Sequence, residues 1–278
     1  MTSCLFGGPL RRKLGSFGYP AFLQLPYLLW PQNSRRPIAY KLATMASQEH
    51  KTLEASLEEG SNATEAAKSL TEPTKKIFSE GADTEDSLWK VWHDVIDVAA
   101  QTSHTNQQPL IDILLAVQQQ NIGKDEASSE RTIWGSKVKI WKDIPLLGAA
   151  AREAFNRAPG AGDKNELPAE QWSNLNAFLA RLTSHSPSIP AFDFSLYAIW
   201  QLRSAFEDES GGSEADVDAA KLWFVYAKDS IEKLSKEGKS FDGNNNKIAR
   251  GGDKYRDREW KGFNPERLEI WQNALKDQ

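Results

Sequence analysis

The fold is decided by Pro168-Ala-Glu-Gln-Trp-Ser-Asn-Leu-Asn-Ala-Phe-Leu-Ala-Arg-Leu182 and Phe192-Asp-Phe-Ser-Leu-Tyr-Ala-Ile-Trp-Gln-Leu-Arg-Ser-Ala-Phe-Glu-Asp208. Large apolar residues recur in both stretches every three or four positions, which is the spacing of one face of an α-helix. The connection holds Pro187 and Pro190, which do not fit inside a helix. We therefore predict two antiparallel helices that form the core hairpin of the protein. The predicted buried positions are Trp172, Leu175, Leu179, Leu182, Leu196, Ile199, Leu202 and Phe206.

Five further helices are predicted around this hairpin, which makes seven. They begin near Asp83, Pro109, Asp143, Ser213 and Asn264. The segment 133–141 alternates weakly between apolar and charged residues, but no partner strand is visible, so we interpret it as an extended loop. These elements predict an all-α protein, a single orthogonal bundle of about seven helices over residues 83–278. Its last helix buries Trp271 against the core hairpin.

The amino-terminal region differs in composition from this body. Residues 1–48 carry six Lys and Arg and no Asp or Glu. We expect 1–44 to be a disordered basic arm, either a mitochondrial presequence or sequence upstream of a true start at Met45. The protein is then located in the mitochondrial matrix or in the cytoplasm, respectively. Residues 45–82 are polar without a continuous apolar stripe, so a disordered linker or a frayed helix is expected there.

Composition excludes several classes of function. Residues 49–278 carry 28 Lys and Arg against 38 Asp and Glu, and such an acidic body argues against a nucleic-acid binder. The one cysteine, Cys4, lies in the basic arm, so the helical body has no thiol nucleophile or cysteine-based metal site. The apolar run 22–30 is too short to cross a bilayer. Ten tryptophans, nine of them after residue 80, make the body rich in tryptophan.

Four segments of the chain carry a resemblance when they are taken in order. They are Trp141-Lys-Asp-Ile-Pro-Leu-Leu-Gly148, Trp172–Leu182, Ser195–Glu207, and Gly251-Gly252 with Gly262-Phe-Asn-Pro-Glu-Arg-Leu-Glu-Ile-Trp271. Together they resemble a fungal family known as domain of unknown function 3632. The resemblance covers roughly Leu88 to Leu275 and implies a helical, intracellular protein, but no activity and no catalytic residues. One departure is Leu268, where the family has a tryptophan after Glu-Arg.

The best acid–base candidates are His93 and Asp97, because residues four apart share a helix face and a carboxylate can orient an imidazole. A solvated surface pair is the simpler interpretation. The other histidines, His50, His104 and His185, are isolated and are not spaced as metal ligands. No metal site and no cofactor is predicted.

The candidates for ligand binding fall into two groups. Tyr197 and Trp200 could line a pocket between helices, although core packing is the simpler role. Arg203 interrupts an apolar helix and needs a carboxylate, for which we consider Glu266 and Glu153. Further along the chain, Arg250, Gly251 and Gly252 could hold an anion through backbone amides. Docking of this loop through Trp260 and Phe263 is the alternative.

Two functions therefore stay open. The first is a non-enzymatic helical module that binds a protein partner or a small apolar ligand. The second is an uncommon helical enzyme that acts on a small substrate with His93 and Asp97 as its acid–base pair. No familiar hydrolase, nucleotide-binding or zinc-protease motif occurs in the sequence.

Overall fold

The computed structural model describes residues 47–58, 60–123, 129–241 and 248–278. The predicted arm over 1–44 lies outside the described residues. What is described is mostly helical, with one two-stranded sheet. The helices are α1 (Gln48–Ala55), α2 (Ala63–Ser79), α3 (Glu85–Gln101), α4 (Gln108–Gln118), α5 (Ile140–Asp143), α6 (Leu147–Phe155), α7 (Ala169–Ser184), α8 (Ser195–Phe206), α9 (Glu214–Tyr226), α10 (Lys228–Glu237) and α11 (Pro265–Lys276), and the strands are β1 (Glu130–Ile133) and β2 (Ser136–Lys139).

The two helices predicted as the core hairpin are α7 and α8. All eight of their predicted apolar positions are buried. The two helices pack less against each other than against α9, which contacts both. The core of the protein is thus centred on three helices instead of the predicted two. The orthogonal arrangement of the bundle stays a prediction.

The segment 45–82, expected to be a disordered linker or a frayed helix, forms two packed helices, α1 and α2, over its described residues. Helix α1 packs on α3, and α2 packs mainly on α4. Leu53, Leu70 and Phe78 of these two helices are buried in the common core. The sequence shows no continuous apolar stripe in α2, because small residues, such as Ala67 and Thr71, occupy several of the buried positions of this helix.

The segment interpreted as an extended loop is a β-hairpin, which corrects the expectation of no strand. Strand β2 pairs with β1, in an antiparallel register that sets Arg131 opposite Val138. The two-residue turn is Trp134-Gly135, and both residues have positive φ angles, 48° and 80°. That geometry matches the twist of a tight hairpin. Ile133 and Val138 face the core, and Thr132 and Lys137 face outward.

Two predicted helices differ in extent from the helices observed. The one expected from Ser213 to Gly238 breaks at Ala227, which has φ −131° and separates α9 from α10. The aromatic and β-branched run before it has low helix propensity. The helix expected from Asp143 begins only at Leu147, as α6, because Ile144 and Leu146 adopt left-handed φ angles of 38° and 73° on either side of Pro145. The short helix α5 precedes this break. The described chain therefore has more helices than the seven predicted.

The last helix follows its prediction. Asn264 accepts a hydrogen bond from the backbone N–H of Arg267 at 2.9 Å and so caps α11, and Pro265 is its first residue. Trp271 is fully buried and contacts the end of α8. Among the helices that the structure describes, none is both long and apolar enough to cross a membrane.

Candidate functional site

His93 lies on the half-buried face of α3 that contacts α6. Its Nδ1 is 2.9 Å from the carbonyl oxygen of Trp89, and its Nε2 is 3.0 Å from Oε2 of Glu153. Both neighbours accept hydrogen bonds, so the ring satisfies both only when it carries two protons. Burial alone lowers the pKa of His93, but the bonds to Glu153 and Trp89 and the charges of Glu153 and Asp97 outweigh burial and raise it. Both the hydrogen-bond geometry and the raised pKa thus favour the protonated form of His93.

The two aspartates on the same face have raised pKa values. Burial is the main cause for both, and it outweighs the nearby positive charges. Asp94 accepts a hydrogen bond of 2.6 Å from the Ser47 hydroxyl. Asp97 is 3.9 Å from the guanidinium of Arg157, and half of its side chain is exposed, so water screens its charge. Asp97 therefore lies near His93 on the face that the sequence predicted, and its partner is Arg157, which follows the end of α6.

Helix α1, which the sequence did not predict, completes this polar face. Glu49 accepts a hydrogen bond of 2.9 Å from Lys90 of α3. Burial raises the pKa of Glu49, yet the hydrogen bond and charge of Lys90 outweigh burial and lower it. His50 lies 3.9 Å from Asp94. Within the described ranges, no group of acids, histidines or cysteines is arranged to hold a metal ion.

Tyr197 and Trp200, the predicted pocket residues, lie inside a packed aromatic cluster. Their ring centroids are 5.0 Å apart, and Phe155 of α6 contacts both rings. The Tyr197 hydroxyl donates to the carbonyl of Gly148, and the Trp200 indole donates to the carbonyl of Ile248. Only 2% and 8% of these residues are exposed. The two rings therefore pack against other aromatic side chains, and their polar atoms are hydrogen-bonded to backbone carbonyls.

Helix α6 contacts both groups of candidates through adjacent residues. The guanidinium carbon of Arg152 is 4.5 Å from the centroid of the Trp200 ring. The next residue, Glu153, bonds His93. One short helix therefore links the polar face of α3 to the aromatic cluster of α8.

A buried ion pair that the sequence analysis missed joins α8 to α11. Glu207, which caps the carboxy-terminal end of α8, is fully buried. Its carboxylate accepts from Nε and Nη2 of Arg267 at 2.7 and 3.0 Å, and from the Trp271 indole at 2.7 Å. Arg267 also donates to the carbonyls of residues 249, 250 and 262. One signal was available, because Arg267 and Trp271 lie four residues apart on the buried stripe of α11.

The Gly251-Gly252 loop does bind an anion, which is the carboxylate of Glu207. The amide of Gly252 donates to Oε2 of Glu207 at 2.8 Å. A Cβ at Gly252 would come within 2.6 Å of the Glu207 backbone, so only glycine fits there. The neighbouring Arg250 is exposed, and its carbonyl accepts from Arg267. The loop also docks through Phe263, which is buried as predicted.

Arg203 lies beside the carbonyl of Ile248 and near the charges of Glu207 and Arg267. Its Nη1 is 3.3 Å from the carbonyl oxygen of Ile248. Burial, together with the positive charge of Arg267, lowers the pKa of Arg203 to about 10. Glu153 accepts a hydrogen bond from His93, and Glu266 accepts one of 3.2 Å from the indole of Trp260. The fully buried ion pair at this end of α8 is the one between Glu207 and Arg267.

Two shallow cavities lie away from these candidates. One, of about 200 Å³, lies between the segment after α1 and the start of α4. The other, of about 330 Å³, lies between the first turns of α7 and α9 and is lined by Glu170, Glu214 and Asp218. These acids occupy helix amino termini, where negative charge is stabilising.

Comparison with known proteins agrees with the resemblance of the ordered segments. No curated protein and no solved structure matches the chain. A family model described as a protein of unknown function, DUF3632, matches residues 92–275. The match includes α4 to α10 and nearly all of α11, and it begins within α3. The chain therefore belongs to the DUF3632 family of proteins of unknown function.

Proposed function

We propose that this protein is a non-enzymatic helical module that binds a protein partner. One observation carries the proposal: the groups that could have formed a ligand pocket already serve internal contacts. Trp200 donates to Ile248, Gly252 donates to Glu207, and Tyr197 lies in the aromatic cluster. A filled interior favours recognition at the surface over a small apolar ligand held between helices.

Reconstitution of a complex tests the proposal. A partner captured with the full chain would be purified separately, and the two proteins mixed and examined by analytical ultracentrifugation. We expect a complex of fixed stoichiometry with a measurable Kd. Native mass spectrometry of the chain as purified addresses the apolar ligand, because a retained small molecule would add its mass. A retained apolar molecule, with no reconstituted complex, would contradict the protein-partner proposal.

A second candidate, the helical enzyme, is supported by the polar face of α3. Three groups with raised pKa values, His93, Asp94 and Asp97, lie within two turns of one helix, and such clusters are common at active sites. The geometry is unfavourable for a general base, because both ring nitrogens of His93 face acceptors. Incubation of the purified chain with a metabolite extract tests this candidate. Consumption of one compound, abolished in His93→Gln, would establish the enzyme and overturn the module.

The location of the protein is part of the same proposal. We place it inside the cell, in the cytoplasm if translation starts at Met45 and in the mitochondrial matrix if the basic arm is a presequence. Mass spectrometry of the native amino terminus distinguishes the two. A native chain that begins at Met1 would contradict both.

A further inference from the structure

Three side chains that are distant in sequence meet at one half-buried place, and the function proposed above does not use them. They are His104 from the turn before α4, Arg181 from the last turn of α7 and Tyr226 from the end of α9. The Nδ1 of His104 is 2.8 Å from the Tyr226 hydroxyl. The guanidinium of Arg181 lies over the Tyr226 ring, 3.9 Å from its centroid. We call these three residues the His104 cluster.

The backbone that carries His104 is fixed by buried amides. The side-chain oxygen of Asn174 accepts from the backbone N–H of His104 at 2.8 Å. Next to it, the Gln107 side chain donates to the carbonyls of Ala99 and Asn174. Asn174 is 2% exposed and Gln107 is fully buried. The imidazole is thus attached to a rigid turn, which is a feature of preorganised binding sites.

The hydrogen bonds that Arg181 makes to described residues go to neutral acceptors. Its Nη2 donates to the His104 carbonyl at 3.0 Å, and its Nη1 donates to Oε1 of Gln108 at 3.1 Å. Its Nε is buried and has no hydrogen-bond partner. Among the residues that the structure describes, no carboxylate lies within ion-pair distance of this guanidinium. A partly exposed guanidinium with no carboxylate nearby can take an anion as its counter-ion.

The imidazole can add a second donor. The Tyr226 hydroxyl lies closer to Nδ1 of His104, at 2.8 Å, than to the His104 carbonyl oxygen, at 3.3 Å. If the phenol donates to Nδ1, the imidazole proton resides on Nε2. Among the described residues, no protein group bonds this Nε2. Both guanidinium Nη atoms of Arg181 also keep a second N–H each.

From this geometry we propose that the His104 cluster binds a small oxyanion, a phosphate or a carboxylate. A guanidinium fork matches the paired oxygens of such groups, and Nε2–H of His104 supplies a neighbouring donor. The anion would supply the negative charge that Arg181 lacks. The proposal is independent of partner binding, because its ligand is a small ion.

Titration of the full chain with sodium phosphate, and separately with sodium acetate, tests the proposal. The readout is the nuclear magnetic resonance signal of the His104 ring carbon-bound protons, with sodium chloride at matched ionic strength as reference. We expect a saturable shift with at least one of the two anions and none with chloride. Arg181→Gln should weaken this binding about 10-fold or more, the effect of losing charge-assisted hydrogen bonds.

Two variants control for indirect effects. Arg157→Gln removes another partly exposed arginine, outside the cluster, and should leave the affinity unchanged. Arg181→Lys keeps the charge and loses the fork, and it serves if Arg181→Gln does not fold. Saturation by phosphate or by acetate identifies which oxyanion the site prefers. No saturable shift with either anion, or equal affinity in both Arg181 variants and the wild type, would overturn the site.

Discussion

Among single residues, Glu207 has a central position in the carboxy-terminal region. It is buried and binds Arg267, Trp271 and the amide of Gly252 at once. Glu207→Gln keeps the shape but leaves Arg267 as a buried charge without a counter-ion. We expect a loss of about 3–5 kcal/mol in the free energy of unfolding, measured by urea melts. Its exposed neighbour provides the control, since Glu209→Gln should change stability by less than about 0.5 kcal/mol. Equal melts would mean that the pair contributes no net stability.

Trp271 combines packing with a hydrogen bond, and two variants separate them. Trp271→Ala empties a fully buried aromatic site, so we expect a loss of about 3–5 kcal/mol. Trp271→Phe keeps a ring but removes the indole bond to Glu207, which should cost about 1.5–3 kcal/mol. Denaturant melts of both variants give the comparison. A harmless Trp271→Ala would show that α11 is not part of the cooperative core.

The role of His93 depends on pH. Its folded-state pKa is raised above the ordinary 6.5. Its contribution is therefore complete below about pH 6.5 and is lost as pH rises through the raised value. His93→Gln should destabilise the protein more at about pH 5.5 than at about pH 8.5. The difference should stay below about 1 kcal/mol, because 61% of the Glu153 side chain is exposed. Urea melts at both pH values measure it, and a larger loss at the higher pH would contradict the cationic imidazole.

Residue roles were the hardest to predict from the sequence, for a physical reason. Helical spacing identified Trp271 as buried, because that inference needs only the contacts of one stripe. The partner of a buried charge depends on which loop returns to it, and Glu207 meets residues 45 to 64 positions away. Likewise, His104 was judged isolated because Tyr226 lies 122 positions along the chain.

At the scale of elements, the β-hairpin depends on its turn. Gly135 has φ 80°, a conformation that asparagine tolerates better than alanine. Gly135→Ala should cost about 1–2 kcal/mol and Gly135→Asn clearly less, in thermal melts of the full chain. Equal losses would indicate that the turn relaxes into another type. The sequence does not predict this hairpin, because only Ile133 of β1 is buried. Strand β1 therefore lacks the apolar alternation that distinguishes a strand from a loop.

The break between α9 and α10 also shows that local apolar spacing does not predict where a helix bends. The apolar spacing after Ser213 continues past Ala227, so the stripe predicted one helix. The chain bends there while its hydrogen bonds continue, since Ile231 still donates to the Ala227 carbonyl at 2.9 Å. The start predicted near Ser213, by contrast, is confirmed, and Ser213 and Asp216 form a capping box there. Start signals are local chemistry, whereas a bend reflects packing, here of α9 against α7 and α8 and of α10 against α11.

At the scale of the whole molecule, the first two helices belong to the core. The family match begins at residue 92, so α1 and α2 lie before it. They nevertheless bury Leu53, Leu70 and Phe78 against the body. Helix α1 also makes polar contacts with α3, through Ser47 and Asp94. These helices therefore stabilise the matched region instead of serving as a linker to it.

Removal of these helices tests that conclusion. We expect the fragment 47–278 to be helical by far-ultraviolet circular dichroism, and the fragment 83–278 to be helical but less stable. The deletion exposes the surfaces that three large side chains cover, at about 1.5–3 kcal/mol each, so the loss should exceed about 3 kcal/mol. Because domains are stable by only about 5–15 kcal/mol, the shorter fragment should melt at a visibly lower temperature. Equal melting temperatures would show that α1 and α2 are accessory to the fold, and a mainly β spectrum would refute the helical architecture.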